Sequence, residues 1–533
     1  MTIPGAVLAG SWIPFVVVLL LILLFSSCYV RYFTSKYDST VSTTLSSVFA
    51  LTVTLLTTAL VPVDIFLVSF MKTSDGYFKD WANSSSERQS VEDSVAYTYY
   101  ALYALVTFCI FMLVPFMYFF YEEKDEETTN KQRCCRAFMF TLVFLLIVVV
   151  LLLIGAFVPK NNIPNANSTE WQKIQSLFNQ LGTNDGEDAL SFVMSSLSLI
   201  GMLSLILYTG YGMSALPIGM IKGYRSARKE RLEVQNRRKE AQNRIQALRD
   251  KYSGGTPSSR DRQRLTDLEE SEHLMERQDT HLSRKNTGCL EKCCFILRPF
   301  EIIIGVVFLL LALLIFLSLL LTNIDKAMHS LGYKLGYALP KRTLPNPVDI
   351  VLVYCQMVFP LDYILFDVIV MYLVLCSISG IRNIGVWFCW LKMYNFRPRR
   401  TRPQGILLMC MILMFILLAV DIIIYELTPQ YSSFGSQHYV VETKNGSSHE
   451  LMPCGIDAPQ DQCTISRMSL LLTRLFYKMW FFGAAYYWAT WVFLGVFLIG
   501  FVVVLVRKRK SAINGEVEQD DFDESDDDEM LRP

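Results

Sequence analysis

Nine stretches of this 533-residue chain are long and apolar enough to cross a lipid bilayer, and that fixes most of what it can fold into. About 20 residues are needed, because ~30 Å of hydrocarbon is crossed at 1.5 Å per helical residue. The stretches run at about 7–30, 41–70, 95–120, 137–158, 189–216, 302–322, 349–378, 404–425 and 481–506. The run from Phe138 to Val158 contains no charged residue. Hydrocarbon offers the backbone no hydrogen-bond partner, so only helices and closed barrels span it. Barrel strands are ~9–11 residues long and alternate in polarity. These runs are longer and do not alternate, so the expected fold is all-α, a polytopic membrane protein with about nine transmembrane helices. Residues 1–6 carry no Lys or Arg, and the core that follows is too long for a signal-peptide h-region, so the first stretch reads as a retained span.

Composition agrees. Only 18% of residues are charged, against about 25% in soluble domains. The 49 Lys+Arg and 49 Asp+Glu cancel, which speaks against a nucleic-acid binder. A 52% apolar content excludes a disordered chain.

With nine crossings the termini lie on opposite sides. Connections 31–40, 121–136, 222–300, 379–403 and 507–533 hold 36 Lys+Arg, and the other set holds 13. The positive-inside rule assigns the first set to the cytosol, giving a lumenal N-terminus and a cytosolic C-terminus. Glycosylation sequons begin at Asn83, Asn167 and Asn445, all on the side assigned to the lumen. Of 13 cysteines, Cys454 and Cys463 share a lumenal loop, where an oxidising compartment favours a disulfide between them. Cys134, Cys135, Cys289, Cys293 and Cys294 fall on the cytosolic side, as S-acylation sites or as inert thiols.

The organisation follows. Residues 1–221 carry spans one to five. Residues 222–300, with a net charge of +7, form a cytosolic helical hairpin arm. Val234, Ala241, Ile245 and Leu248 make one seam; Leu265, Leu268, Met275 and Leu282 make a second, which Glu272 and Asp279 interrupt. The arm is either a docking surface or a solvated hairpin. Residues 301–506 carry spans six to nine with a lumenal loop at 426–480. Residues 507–533 form an acidic, disordered cytosolic tail with ten acidic side chains between 516 and 529.

Ionisable residues at bilayer depth cost ~2.5–3.5 kcal/mol on insertion scales and therefore mark candidate functional positions. Asp64 follows Pro62 in span two, either packed with Thr57 on one face or turned to lumenal water. In span seven Gln356, Pro360, Tyr363 and Asp367 fall on one stripe, with Asp362 beside it. Pro360 should break that helix, and a broken helix with polar groups suits either a transport cavity or an interhelical hydrogen-bond network. Asp421 lies in span eight. No catalytic constellation or metal-ligand spacing appears, no phosphate-cradling loop is present, and no covalent cofactor is expected. Of five histidines, His329, just past span six, is the best placed for ligand contact or pH sensing.

Several strings carry a family resemblance. Pro62–Ser69 (PVDIFLVS), Phe359–Tyr363 (FPLDY), Gly380–Gly385 (GIRNIG), Asp457–Pro459, Asp461–Thr464 and Leu494–Gly500 (LGVFLIG) together resemble the limb-region-1 family of multi-span membrane proteins. For want of a catalytic set the chain is not expected to be an enzyme, and the resemblance implies a lysosomal membrane protein needed to move cobalamin from lumen to cytosol. It also implies a partner, an ABC half-transporter of subfamily D. Cobalamin would be a transported ligand rather than a cofactor. A further implied role is at the plasma membrane and in clathrin-coated vesicles, in internalisation of the insulin receptor through the AP-2 adaptor. That role uses a Tyr-x-x-hydrophobic signal, and here the corresponding string is Lys229-Glu230-Arg231-Leu232, with lysine in place of the tyrosine.

Overall fold

The structure is a computed structural model. It describes residues 5–507 and 509, apart from 36–39, 74, 124–128, 158–184, 224–226, 253–257, 287–288, 334–335, 338, 340–341, 357, 359, 389–390, 395, 397–400, 443–448, 456–457, 459–461, 478–479 and 508. Among these residues nine helices are long and apolar enough to cross a membrane.

In chain order α1 is Gly5–Phe33 and α2 is Val41–Phe70, started by Thr40, whose side chain accepts from the Thr43 N–H. α3 (Ser85–Phe108) runs through a π turn at Cys109–Leu113 into α4 (Val114–Glu122), so the third span is one 38-residue rod. α5 (Asn130–Phe157) and α6 (Asp185–Lys222) follow. α7 (Ala227–Lys251) and α8 (Ser259–Asn286) precede the sixth span, α9 (Cys289–His329). The seventh span is broken into α10 (Pro347–Cys355) and α11 (Leu361–Ile384). A short antiparallel pair, β1 (Val386–Phe388) and β2 (Leu391–Tyr394), leads to α12 (Pro403–Leu427). Then come α13 (Pro429–Phe434), the antiparallel pair β3 (His438–Glu442) and β4 (His449–Pro453), α14 (Arg467–Tyr477) and the ninth span, α15 (Trp480–Val506).

The chain divides into two compact units, one of residues 1–216 with 310–501, the other of 217–309 with 502–533. In the first, α12 packs against α2, α4 and α11. Of its most apolar window 83% is buried, against 11% for the equivalent window of α5. One helix is therefore core and the other faces lipid, although both are long and predominantly apolar. Small residues let α6 and α11 meet backbone to backbone. A Cβ at Gly212 would lie 1.9 Å from the Cys376 carbonyl oxygen, and one at Gly380 would lie 1.9 Å from that of Tyr208. Thr209 and Ser377 share a hydrogen bond of 2.8 Å across the same contact. Hydroxyls inside α2 serve their own helix: Thr54 donates to the Ala50 carbonyl (2.6 Å) and Thr57 to that of Val53 (2.9 Å). Thr57 is thus engaged one turn back rather than with Asp64.

In the second unit α7 and α8 pair as a hairpin around Val234, Leu282, Leu274 and Met275. The two charges of the α8 seam meet donors from α7: Asp279 accepts from Arg231 (2.8 Å) and Gln235 (3.0 Å), and Glu272 from Gln242 (2.6 Å). Lys222 closes the end of α15, donating to the carbonyls of Val504 and Leu505 (2.7 Å each), a cation on carbonyls that the helix leaves unpaired.

Candidate functional site

Pro360 cannot donate a backbone hydrogen bond, and α11 restarts immediately after it. The polar side chains of the break are met by the segment that follows α12. Gln356 donates to the Gly435 carbonyl (3.2 Å), and the Tyr363 hydroxyl lies 3.1 Å from that of Ser436. The Ser436 N–H donates to Ser69 Oγ of α2 (3.0 Å). Gly435 has φ +57°, and a Cβ there would come within 2.0 Å of Ser69 Oγ, so both conformation and space demand glycine.

Three buried carboxylates hold the same segment. Asp349 takes the N–H groups of Gln430 (3.1 Å) and Tyr431 (3.0 Å), the free amides at the start of α13. The Tyr431 hydroxyl donates to Asp362 (3.0 Å). Asp64, only 2% exposed, takes the Met468 N–H at the start of α14 (2.8 Å). Between α13 and α14 the backbone is tied by Gln437, whose side chain donates to the Thr464 carbonyl (2.7 Å) and accepts from its N–H (3.0 Å). Cys454 and Cys463 are disulfide-bonded, with Cα atoms 6.0 Å apart. Lys72, just past α2, donates to the His438 carbonyl (2.8 Å), and burial pulls its ammonium down to about 8.

The remaining sequence candidates separate. Asp421 is buried in α12, and its Oδ1 has no hydrogen-bond partner among the described residues. Asp367 is exposed on the outside of the unit. Gln356 and Tyr363 of the expected stripe both reach the segment 435–436, whereas Asp367, one turn beyond Tyr363 on the continuous α11, is exposed; Asp362, about 140° round that helix from Asp367, is buried. Among the described residues no three His, Cys, Asp or Glu side chains come together as a metal site.

Sequence reasoning missed three features. Asp349 had a local signal: Asn346, Pro347 and Asp349 make a helix start, with Asn346 accepting from the N–H groups of Val348 and Asp349. Glu426, 2% exposed, pairs with Lys326 at 2.7 Å and accepts from Thr490 (3.0 Å). Asp325 takes the Thr343 N–H (3.1 Å) and faces His329 at 3.0 Å. Asp325 and His329 stand one helical turn apart, which their spacing could have signalled; the contacts of Glu426 with Lys326 and of Asp325 with Thr343 bring together residues 100 and 18 positions apart, and no periodicity announces them. Asn83 is exposed, whereas Asn167, Asn445 and the acidic tail lie outside the described residues. Lys229 is exposed on α7, and Cys134 and Cys135 are exposed on α5. The side chains of Cys289, Cys293 and Cys294 lie outside the described set.

A family model described as LMBR1-like membrane protein matches residues 11–293. A protein of Nematostella vectensis named probable lysosomal cobalamin transporter is 46% identical, over 98% of this chain and 99% of its own. Proteins named lysosomal cobalamin transport escort protein LMBD1 are 47% identical in Danio rerio (99% of each chain) and in Homo sapiens (97% of each). No solved structure matches.

Proposed function

The chain belongs to the LMBR1-like membrane protein family, and from that membership we propose that it acts in the lysosomal membrane, in export of cobalamin from lumen to cytosol. In this reading it is the escort of an ABC half-transporter of subfamily D rather than the passage itself. One observation carries the cobalamin role: identity of 46–47% along nearly the whole chain to relatives named for lysosomal cobalamin transport.

The carboxylates support escort over passage. A passage for a bulky polar cargo needs polar groups free to exchange with it. Asp64, Asp349 and Asp362 are instead engaged by backbone and tyrosine donors of the segment 430–468. The energy for movement would come from the partner, since the sequence carries no phosphate-cradling loop.

Cells lacking the chain should retain cobalamin in lysosomes, and its return should restore export. A chain carrying both Asp64→Asn and Asp362→Asn should restore it too, because an amide oxygen accepts the same hydrogen bonds. Normal export without the chain would defeat the cobalamin role. A folded, correctly delivered double variant that fails to restore export would favour a passage with an acid relay.

A further inference from the structure

Among the carboxylates expected at bilayer depth, Asp367 is the one that the fold turns outward, and its surroundings are specific. It lies six residues into α11, about 9 Å from the start of a helix about 36 Å long. The Cα–Cβ bond leans toward that start, but so short a side chain does not span the distance. Ile364 (54% exposed), Val368 (40%) and Met371 (55%) are the apolar residues around it on the same face. No hydrogen bond or ion pair reaches Asp367 among the described residues.

The uncovered face is confined to one half of the helix. From Tyr372 on, α11 is packed, and Tyr372, Cys376, Ser377 and Gly380 are buried against α6. The open half continues onto α10, where Tyr354 is 68% exposed. By the charge count this is the lumenal half. A face made for lipid would be apolar throughout, as that of α5 is from Phe138 to Ile154. A carboxylate in such a face calls for a donor from outside the chain.

We propose that the open half of α11 docks one transmembrane helix of the ABC half-transporter, and that a basic side chain on that helix meets Asp367. The inference rests on the escort reading and gives it a contact surface. The apolar neighbours supply packing, and the ion pair sets depth and register, since a charge-assisted hydrogen bond in this setting has no competing water.

The test uses full-length protein co-expressed with the half-transporter and extracted in mild detergent. Asp367→Leu should leave the thermal unfolding of the chain alone unchanged or raised, while recovery of the half-transporter falls roughly tenfold, a loss of about 1.4 kcal/mol. Asp367→Glu should retain most of it. A photo-crosslinking residue in place of Ile364 or Met371 should capture the half-transporter, and one in place of Leu373, which is buried, should not. Unchanged recovery with Asp367→Leu, or crosslinking from Ile364 to a second copy of this chain, overturns the docking surface while leaving the escort reading intact. Failure of the unaltered chain to recover the half-transporter overturns both.

Discussion

Asp362 and Asp367 stand five residues apart on one helix, and their surroundings are opposite. Asp362 is 2% exposed and accepts from Tyr431, whereas Asp367 is exposed and has no hydrogen bond or ion pair among the described residues. At 3.6 residues per turn, five residues rotate a side chain by about 140°. That rotation separates a carboxylate that holds the fold from one that is available to another protein. The lesson is that depth in the membrane does not by itself give a carboxylate its role. Of the inward carboxylates, Asp64, Asp349, Asp362 and Glu426 are spent on amides, a phenol and an ammonium, while Asp421 keeps one oxygen without a hydrogen-bond partner among the described residues.

The strongest break of this contrast is at Glu426. Lys326→Met should destabilise the chain by about 3–5 kcal/mol, because it leaves a buried carboxylate without its cation. Lys326→Met combined with Glu426→Leu should recover most of the loss in detergent unfolding. If the single change proves harmless, the inward set is not structural. Next comes Asp349→Ala, which strips two amides of their acceptor and should cost about 2–3 kcal/mol. Faster proteolysis between 428 and 436 would report it. Tyr431→Phe removes one donor from Asp362 and should cost about 1 kcal/mol. Asp367→Leu should shift the stability of the chain alone by no more than about 0.5 kcal/mol, and a large loss there would erase the difference between the two positions.

The smallest effect is one of pH. Burial puts Lys72 at about 8 in the folded chain, against about 10.4 when unfolded. Between those values the unfolded chain holds the proton and the folded chain has released it, so stability rises with pH across that window. Lys72→Met should flatten the rise. Below pH 8 the ammonium is charged and its bond to the His438 carbonyl is fully charge-assisted.

The spans were legible because hydropathy accumulates over twenty residues, and the break in the seventh was legible because Pro360 is a local signal with a local cause. What a helix does on either side of its break was not. Which face of α11 turns inward is set by contacts such as that of Asp362 with Tyr431, 69 positions away, and no pattern in the sequence states them. The partners of the buried charges were hidden for a related reason. Glu426 and Lys326 are separated by 100 positions, and only the packing of α9 beside the end of α12 brings them together. Likewise α5 and α12 are alike in composition, yet one is washed by lipid and the other is the centre of its unit.

The central claim is that this chain escorts a transporter and does not itself hold the cargo. Equilibrium binding of labelled cobalamin to the purified full-length chain, alone and then in complex with the half-transporter, tests it most directly. The account predicts no saturable binding to the chain alone and saturable binding once the complex is formed. Stoichiometric binding to the chain alone, lost when Asp64 and Asp362 are changed to alanine in a protein that still folds, would contradict it.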